Sequence, residues 1–163
     1  MLGAYRLRLK VSARKFAIGR MTVAAFTLLA AVTAHAAANQ PTVEELKARV
    51  SSTDIGGRPH LCVEIAEMQL TETDKLYAGA EDEKAQATLT DVVAYSEMAR
   101  DYAIQSHKYQ KQTEIAVRRM TRKLTDVMHS LAHDDQVPVQ DAVKRLQRVR
   151  DDLLMAMFPK GSH

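Results

Sequence analysis

The sequence predicts an all-α fold, in which helices form an elongated bundle around one long central helix. Only 5% of the 163 residues are aromatic, and the chain has no Trp and six Gly. Ala, Glu, Lys, Gln, Leu and Met are abundant, and these residues favour helices, whereas strands are enriched in aromatic and β-branched residues. Apolar residues also recur at helical spacing, so helices should build the core.

The first 36 residues have the three parts of a secretory signal peptide. A basic stretch without acids is followed by an apolar run from Met21 to about Thr33 and by a small-x-small exit at residues 34–36. The apolar run is shorter than the about 20 residues that span a bilayer. We therefore expect export to the periplasm or the cell exterior and removal of residues 1–36, which leaves no stable transmembrane span. An uncleaved membrane anchor is the alternative.

Removal of the signal peptide changes the net charge of the protein. The whole chain is +3, but residues 37–163 keep 17 cations against 20 acids. The basic character belongs to the signal peptide, so it gives no argument for nucleic-acid binding.

The remaining charge is unevenly distributed along the chain. Residues 37–105 carry six cations and 13 acids, whereas residues 106–163 carry 11 cations and seven acids. In a rod, this asymmetry would favour an antiparallel dimer or contact with anionic envelope components. In a compact bundle, it would instead help two helical hairpins to pack against each other.

Residues 37–163 form a single helical domain by their length. Thr42-Val43-Glu44-Glu45 has the pattern of a capping box, which predicts a short leader helix over about 42–50. Pro59 suits the first turn of a helix over about 59–77, and Pro138 that of a last helix over about 138–158.

The segment between these helices allows two interpretations. From Ala80 to Val137 there is neither Gly nor Pro, and the polar stretch from Gln105 to Glu114 also lacks Asn and Asp. Because these are the residues that favour turns, we prefer one continuous helix over about 81–132, which would be about 75 Å long. The alternative is a reversal near His107, which would give an up-down four-helix bundle.

His129 and His133 are candidate ligands of a divalent transition-metal ion. Their spacing of four residues would place both imidazoles on one helix face, together with Asp126. That face lies opposite the apolar stripe, and a structural zinc site needs four ligands. Two exposed histidines near a helix C-terminus are the simpler interpretation. A metallopeptidase motif would require Glu directly after the first His, where Ser130 stands.

Cys62 is the only cysteine, which excludes a disulfide within the chain. It could form an intermolecular disulfide, but we prefer a buried, small apolar residue. His60 and Glu64 resemble further ligands beside it, yet on a helix Cys62 would point about 160° away from His60. Covalent haem attachment would need Cys-x-x-Cys-His, which is absent. A non-covalent haem would need a buried Met and a buried His, and His107 is the histidine without another role.

No motif in the sequence predicts catalysis with useful specificity. There is no glycine-rich phosphate loop, and no Ser-His-Asp arrangement can be argued. We expect a non-enzymatic interaction or scaffold protein, without a cofactor, that acts through helix faces on a protein partner or by self-association, as coiled coils do. The alternatives are a metal- or haem-binding bundle that uses His129 and His133, and an enzyme whose residues converge only in the folded chain.

The signal-peptide interpretation predicts the N-terminus of the mature protein. When the full chain is expressed in a bacterium, the intact mass of the product released by osmotic shock should correspond to residues 37–163, because cleavage is expected after Ala36. A product that begins at Met1 and sediments with the membranes would instead support the uncleaved anchor.

Overall fold

A computed structural model describes residues 41–159, and all regular secondary structure in this part of the chain is α-helical. The helices are α1 Val43–Ser52, α2 Arg58–Ala78, α3 Asp82–Ser106, α4 Gln110–Ser130 and α5 His133–Met157. The prediction of an all-α bundle is therefore confirmed. Within the described range, no helix is both long and apolar enough to cross a membrane. The predicted signal peptide, residues 1–36, lies outside the described residues.

The preferred continuous helix over 81–132 is wrong, because the chain reverses between α3 and α4. His107 and Tyr109 have φ angles of 56° and 60°, in the left-handed region. The Ser106 hydroxyl donates to the Tyr102 carbonyl at 2.6 Å. It also accepts from the Lys108 amide at 3.3 Å, which gives this amide an acceptor after the helix has ended. The alternative, a reversal near His107 that gives four main helices, is the arrangement found.

Burial of apolar side chains explains why the chain turns without a typical turn residue. Each left-handed residue costs roughly 1–2 kcal/mol, whereas burial of one large apolar side chain contributes about 1.5–3 kcal/mol. Folding back brings Val92 of α3, Leu124 of α4 and Leu146 of α5 into one core cluster, where all three are fully buried. A straight helix would leave much of this apolar surface exposed to water.

The four long helices form two antiparallel hairpins that lie side by side. α2 and α3 form the first hairpin, and α4 and α5 form the second. Glu67 of α2 pairs with Arg119 of α4, and Asp74 pairs with Lys123 at 3.1 Å. Both positions advance along their helices in the same direction, so α2 and α4 run parallel.

A second set of ion pairs joins the hairpins on the side of α3 and α5. Arg145 of α5 donates to Glu97 of α3 through two nitrogens, at 2.8 and 3.0 Å. Arg100 of α3 donates to Asp152 of α5 at 2.9 Å. These helices are also parallel, and the order around the bundle is therefore α2, α3, α5, α4.

α1 packs as a fifth helix against the first hairpin. The predicted capping box is present, since the Glu45 amide donates to the Thr42 hydroxyl and the Thr42 amide donates to the Glu45 carboxylate, at 3.2 and 2.9 Å. Leu46 and Val50 on its inner face join a second core cluster that includes Cys62 of α2. The short leader helix is thus part of the domain core.

The last helix begins five residues earlier than predicted. α5 begins at His133, and Pro138 lies inside it. Proline cannot donate to the carbonyl of Asp134, four residues before it. Asp134 is exposed in the first turn, where water can satisfy this carbonyl, so the helix tolerates the proline.

The left-handed turn predicts opposite effects for the same substitution at two neighbouring positions. His107→Gly should raise the free energy of unfolding by about 0.5–1 kcal/mol, because glycine adopts a positive φ without steric cost. Gln105→Gly, in the last turns of α3, should lower it by about 1 kcal/mol. Urea denaturation of both variants tests this, and equal destabilisation would contradict the left-handed turn.

Candidate interaction surface at one end of the bundle

The three predicted metal ligands do not share one helix. Asp126 and His129 lie on α4, which ends at Ser130, whereas His133 is the first residue of α5. The extended backbone of Leu131 and Ala132 separates the two histidines, so the helical spacing on which the hypothesis depended is wrong. Among the described residues, no group of three His, Cys, Asp or Glu side chains is placed to hold a metal ion. The metal site stays a prediction without support from this geometry.

Cys62 is completely buried beneath α1. Burial raises the pKa of its thiol to about 11, although the nearby Arg58 guanidinium acts in the opposite direction. The buried, apolar interpretation agrees with this position. An intermolecular disulfide stays a prediction, and it would require α1 to detach before the sulfur atoms of two chains could meet.

The remaining histidine candidates lie at the end of the bundle where α2 begins and α3 ends. The ring of His60 stacks on that of Tyr109, with centroids 6.2 Å apart and planes inclined by 22°. His107 is exposed in the turn beside Tyr109, so it lacks the burial that an axial haem ligand would need. These residues therefore contribute to the surface of the bundle end and not to an enclosed pocket.

Exposed apolar side chains are concentrated at this same end. Six large apolar residues of the described chain are exposed, and five of them lie in the α1–α2 loop, the α3–α4 turn, the beginning of α4 or the end of α5. We call these five residues the tip: Ile55, Tyr109, Ile115, Met155 and Phe158. Phe158 and Met155 keep 71% and 60% of their surface in contact with water. Single exposed apolar side chains are ordinary, but five at one end make this end the candidate interaction surface of the described chain.

The α1–α2 loop, which carries Ile55, lies beside the α3–α4 turn, which carries Tyr109. A Cβ atom added to Gly56 would lie 2.7 Å from Cδ of Lys108, so the Lys108 side chain of the α3–α4 turn lies directly against the α1–α2 loop. The Asp54 carboxylate accepts from the Gly56 amide at 2.9 Å. The Arg58 guanidinium lies 5.2 Å from the centre of the Tyr102 ring. The tip is therefore presented on a defined backbone.

Cations without an ion-pair partner also lie at this end. Arg49, Lys108 and Lys111 are exposed, and none of them has a carboxylate of the described residues within 4.0 Å. Of the nearby acids, Asp101 pairs with Arg100, whereas Asp54 accepts only from the neutral Gly56 amide and keeps its charge. Free positive charge therefore accompanies the apolar side chains of the tip.

The opposite end of the bundle has the reverse character. Here α2 and α4 end and α3 and α5 begin, and several acids of this region lack an ion-pair partner within the described chain: Asp82, Glu83, Asp126, Asp134 and Asp135. The pKa of Tyr77 is raised, first by burial and then by Asp135 and Asp82. Val137 is the one exposed large apolar residue of the described chain that lies here. The bundle therefore has an acidic end and an apolar, cationic tip.

A groove between α2 and α4 lies on the side of the bundle. Its volume is about 350 Å³, and Leu70 and Met120 form its floor. Glu67, Arg119 and Lys123 on its rim belong to the ion pairs that join the hairpins. The polar groups of this groove thus have structural partners already.

No family model, no curated protein and no solved structure matches the chain significantly.

The sequence interpretation missed the tip because its members belong to no common pattern. Ile55 lies in a loop, and Tyr109 is the one apolar exception in a polar stretch. Phe158 directly follows the last helix. The only available sequence signal was that each apolar residue falls outside the helical stripes, and this alone does not reveal that they meet at one end.

The buried thiol predicts a specific pH dependence of stability. Because the folded pKa of Cys62 lies near 11, above the ordinary value of 9.0, its contribution is complete below pH 9 and is lost as the pH rises towards 11. The loss should amount to about 2–3 kcal/mol. The free energy of unfolding of Cys62→Ala should therefore fall less steeply over this window than that of the natural protein.

A second measurement checks that the thiol is covered by α1. In the natural protein, Cys62 should react slowly with a chromogenic disulfide reagent and rapidly once urea unfolds the chain. Fast reaction in native buffer, or identical pH profiles for the two proteins, would contradict the buried position.

Proposed function

We propose that the chain is an exported, non-enzymatic interaction module of the periplasm or cell exterior, and that it binds its partner through the tip. Export is supported by the signal-peptide features of residues 1–36. The single observation that supports partner binding is the grouping of five of the six exposed large apolar side chains at one end of the bundle.

The ion pairs along the sides of the bundle also favour the tip as the binding surface. Along the sides of the bundle, many charged residues are engaged between helices: Glu67 with Arg119, Asp74 with Lys123, and Glu97 with Arg145. These contacts serve the packing of the two hairpins. At the tip, Met155 and Phe158 are mostly exposed and belong to neither core cluster. Exposure of such side chains to water is unfavourable, and a partner that covers them would recover the free energy of burial.

The backbone of the tip is suited to recognition. Tyr109 is held in a left-handed conformation and is stacked on His60, yet its side chain remains 45% exposed. Strained backbone is tolerated where the surrounding structure fixes it, and such positions cluster at binding sites. An ordered aromatic side chain loses little conformational entropy when a partner binds.

Site-specific cross-linking in cells tests this proposal. A benzophenone amino acid placed at Phe158 or Met155 should give discrete cross-linked products after irradiation, because a bound partner lies within reach of the tip. Val137, which is 56% exposed at the opposite end, is the matched control and should give none. Products of equal yield from all three positions, or from none of them, would contradict a partner-binding tip.

A further inference from the structure

We propose that the partner of the tip is the surface of an anionic membrane, which the bundle contacts end-on without crossing it. This inference rests on the proposed function and specifies the chemistry of the partner. It depends on three features of the bundle: the origin of the exposed apolar side chains in separate segments, the unpaired cations beside them, and the acidic character of the opposite end.

The apolar side chains come from four separate segments and do not form a helical stripe. Ile55 projects from the α1–α2 loop, Tyr109 from the α3–α4 turn, Ile115 from α4, and Met155 and Phe158 from the end of α5. Partner helices are usually recognised by a groove or a continuous apolar face. Several side chains distributed over the end of a bundle match a lipid interface better, because the interface adapts to separate points of insertion.

The residue types at the tip match the interfacial region of a bilayer. Tyr109 has an apolar ring and a polar hydroxyl, and tyrosine is enriched where the bilayer meets water. Phe158 supplies a fully apolar ring, and apolar side chains of this kind bury into the boundary between headgroups and acyl chains. Lys108 and Lys111 lie beside them with long, flexible stems, so their ammonium groups can reach lipid phosphates while the rings are inserted.

Charge complementarity selects an anionic surface. Arg49, Lys108 and Lys111 are exposed and lack ion-pair partners within the described residues, and each such cation near an anionic membrane strengthens binding about fivefold. Asp54, Glu64 and Asp151 also lie near this end without an ion-pair partner among the described residues, and they oppose these cations. The unpaired acids at the far end, among them Asp82 and Asp135, would be repelled by the same surface. The two ends therefore favour one orientation, with the tip towards the lipid and the acidic end away from it.

The test is binding of the mature protein, purified after export, to vesicles of phosphatidylcholine with or without phosphatidylglycerol, measured by flotation. We expect binding to vesicles that contain phosphatidylglycerol and at least about tenfold weaker binding to phosphatidylcholine alone. Added salt should weaken the binding, because it screens exposed charges.

Two pairs of variants assign the binding to the tip. The triple variant Ile55→Ser, Met155→Ser and Phe158→Ser should lose at least about tenfold in affinity, whereas Val137→Ser should change it by less than about twofold. Lys111→Glu should weaken binding at least about fivefold, and the acid suits the first turn of α4. Arg122→Glu is its matched control, because Arg122 is exposed on α4 and unpaired among the described residues. Circular dichroism verifies that each variant is folded.

The outcomes separate this inference from the proposed function. Binding to anionic vesicles that is lost in the tip variants and kept in both controls supports the inference. Absence of vesicle binding, or equal losses in tip and control variants, overturns it. If vesicles are not bound but Phe158 cross-links to a protein or to a second copy of the chain, the lipid partner is wrong and the proposed function stands. If neither vesicles nor cross-links are found, both are wrong.

Discussion

The reversal of the chain at His107 and Tyr109 is the constraint on which the rest of the structure depends. Two left-handed residues cost a few kcal/mol together, and they persist because they let the second hairpin cover the first. Without the reversal, the apolar residues of α4 and α5 could not join those of α2 and α3 in one core. The same reversal places Tyr109 at the end of the bundle, so one turn determines both the packing of the helices and the composition of the tip.

Charge determines how the hairpins meet more than it determines stability. Exposed ion pairs contribute about 0–1 kcal/mol each, far less in sum than the buried apolar side chains of the core. The acidic first hairpin and the basic second hairpin nevertheless place opposite charges at matching heights, as in the pair of Asp74 and Lys123. Glu114 is the buried case: it accepts from Arg150 at 2.8 Å and lies 3.8 Å from Arg118. Loss of Arg150 would leave that carboxylate poorly compensated, so this contact fixes the beginning of α4 against α5.

Features of the fold that depend on a local pattern of residues could be predicted from the sequence. The all-α class follows from composition and periodicity, and the capping box at Thr42 follows from four adjacent residues. The position of the reversal could not be derived in this way, because Gln105 to Glu114 are good helix formers and the turn is stabilised by burial between distant segments. The metal hypothesis lost its geometric support for a separate reason, because α4 ends at Ser130 and His133 begins α5, so the two histidines do not lie on one helix face. The tip could not be predicted from the sequence because its five residues come together only once the order and direction of the helices are known.

The two ends of the bundle differ in what they can do with their side chains. At the acidic end, groups such as Asp134 and Asp135 are well solvated and lie in the first turn of α5, where negative charge suits the helix dipole. Water and the helix dipole already stabilise these charges without a partner. At the tip, the apolar side chains of Phe158 and Met155 are not covered by the core and remain in contact with water. Apolar side chains that stay exposed contribute no burial free energy to the isolated protein, and they would contribute it only when a partner covers them. This contrast between the two ends is what supports the proposal that the tip binds a partner, and in that proposal the remainder of the bundle holds four short segments in place.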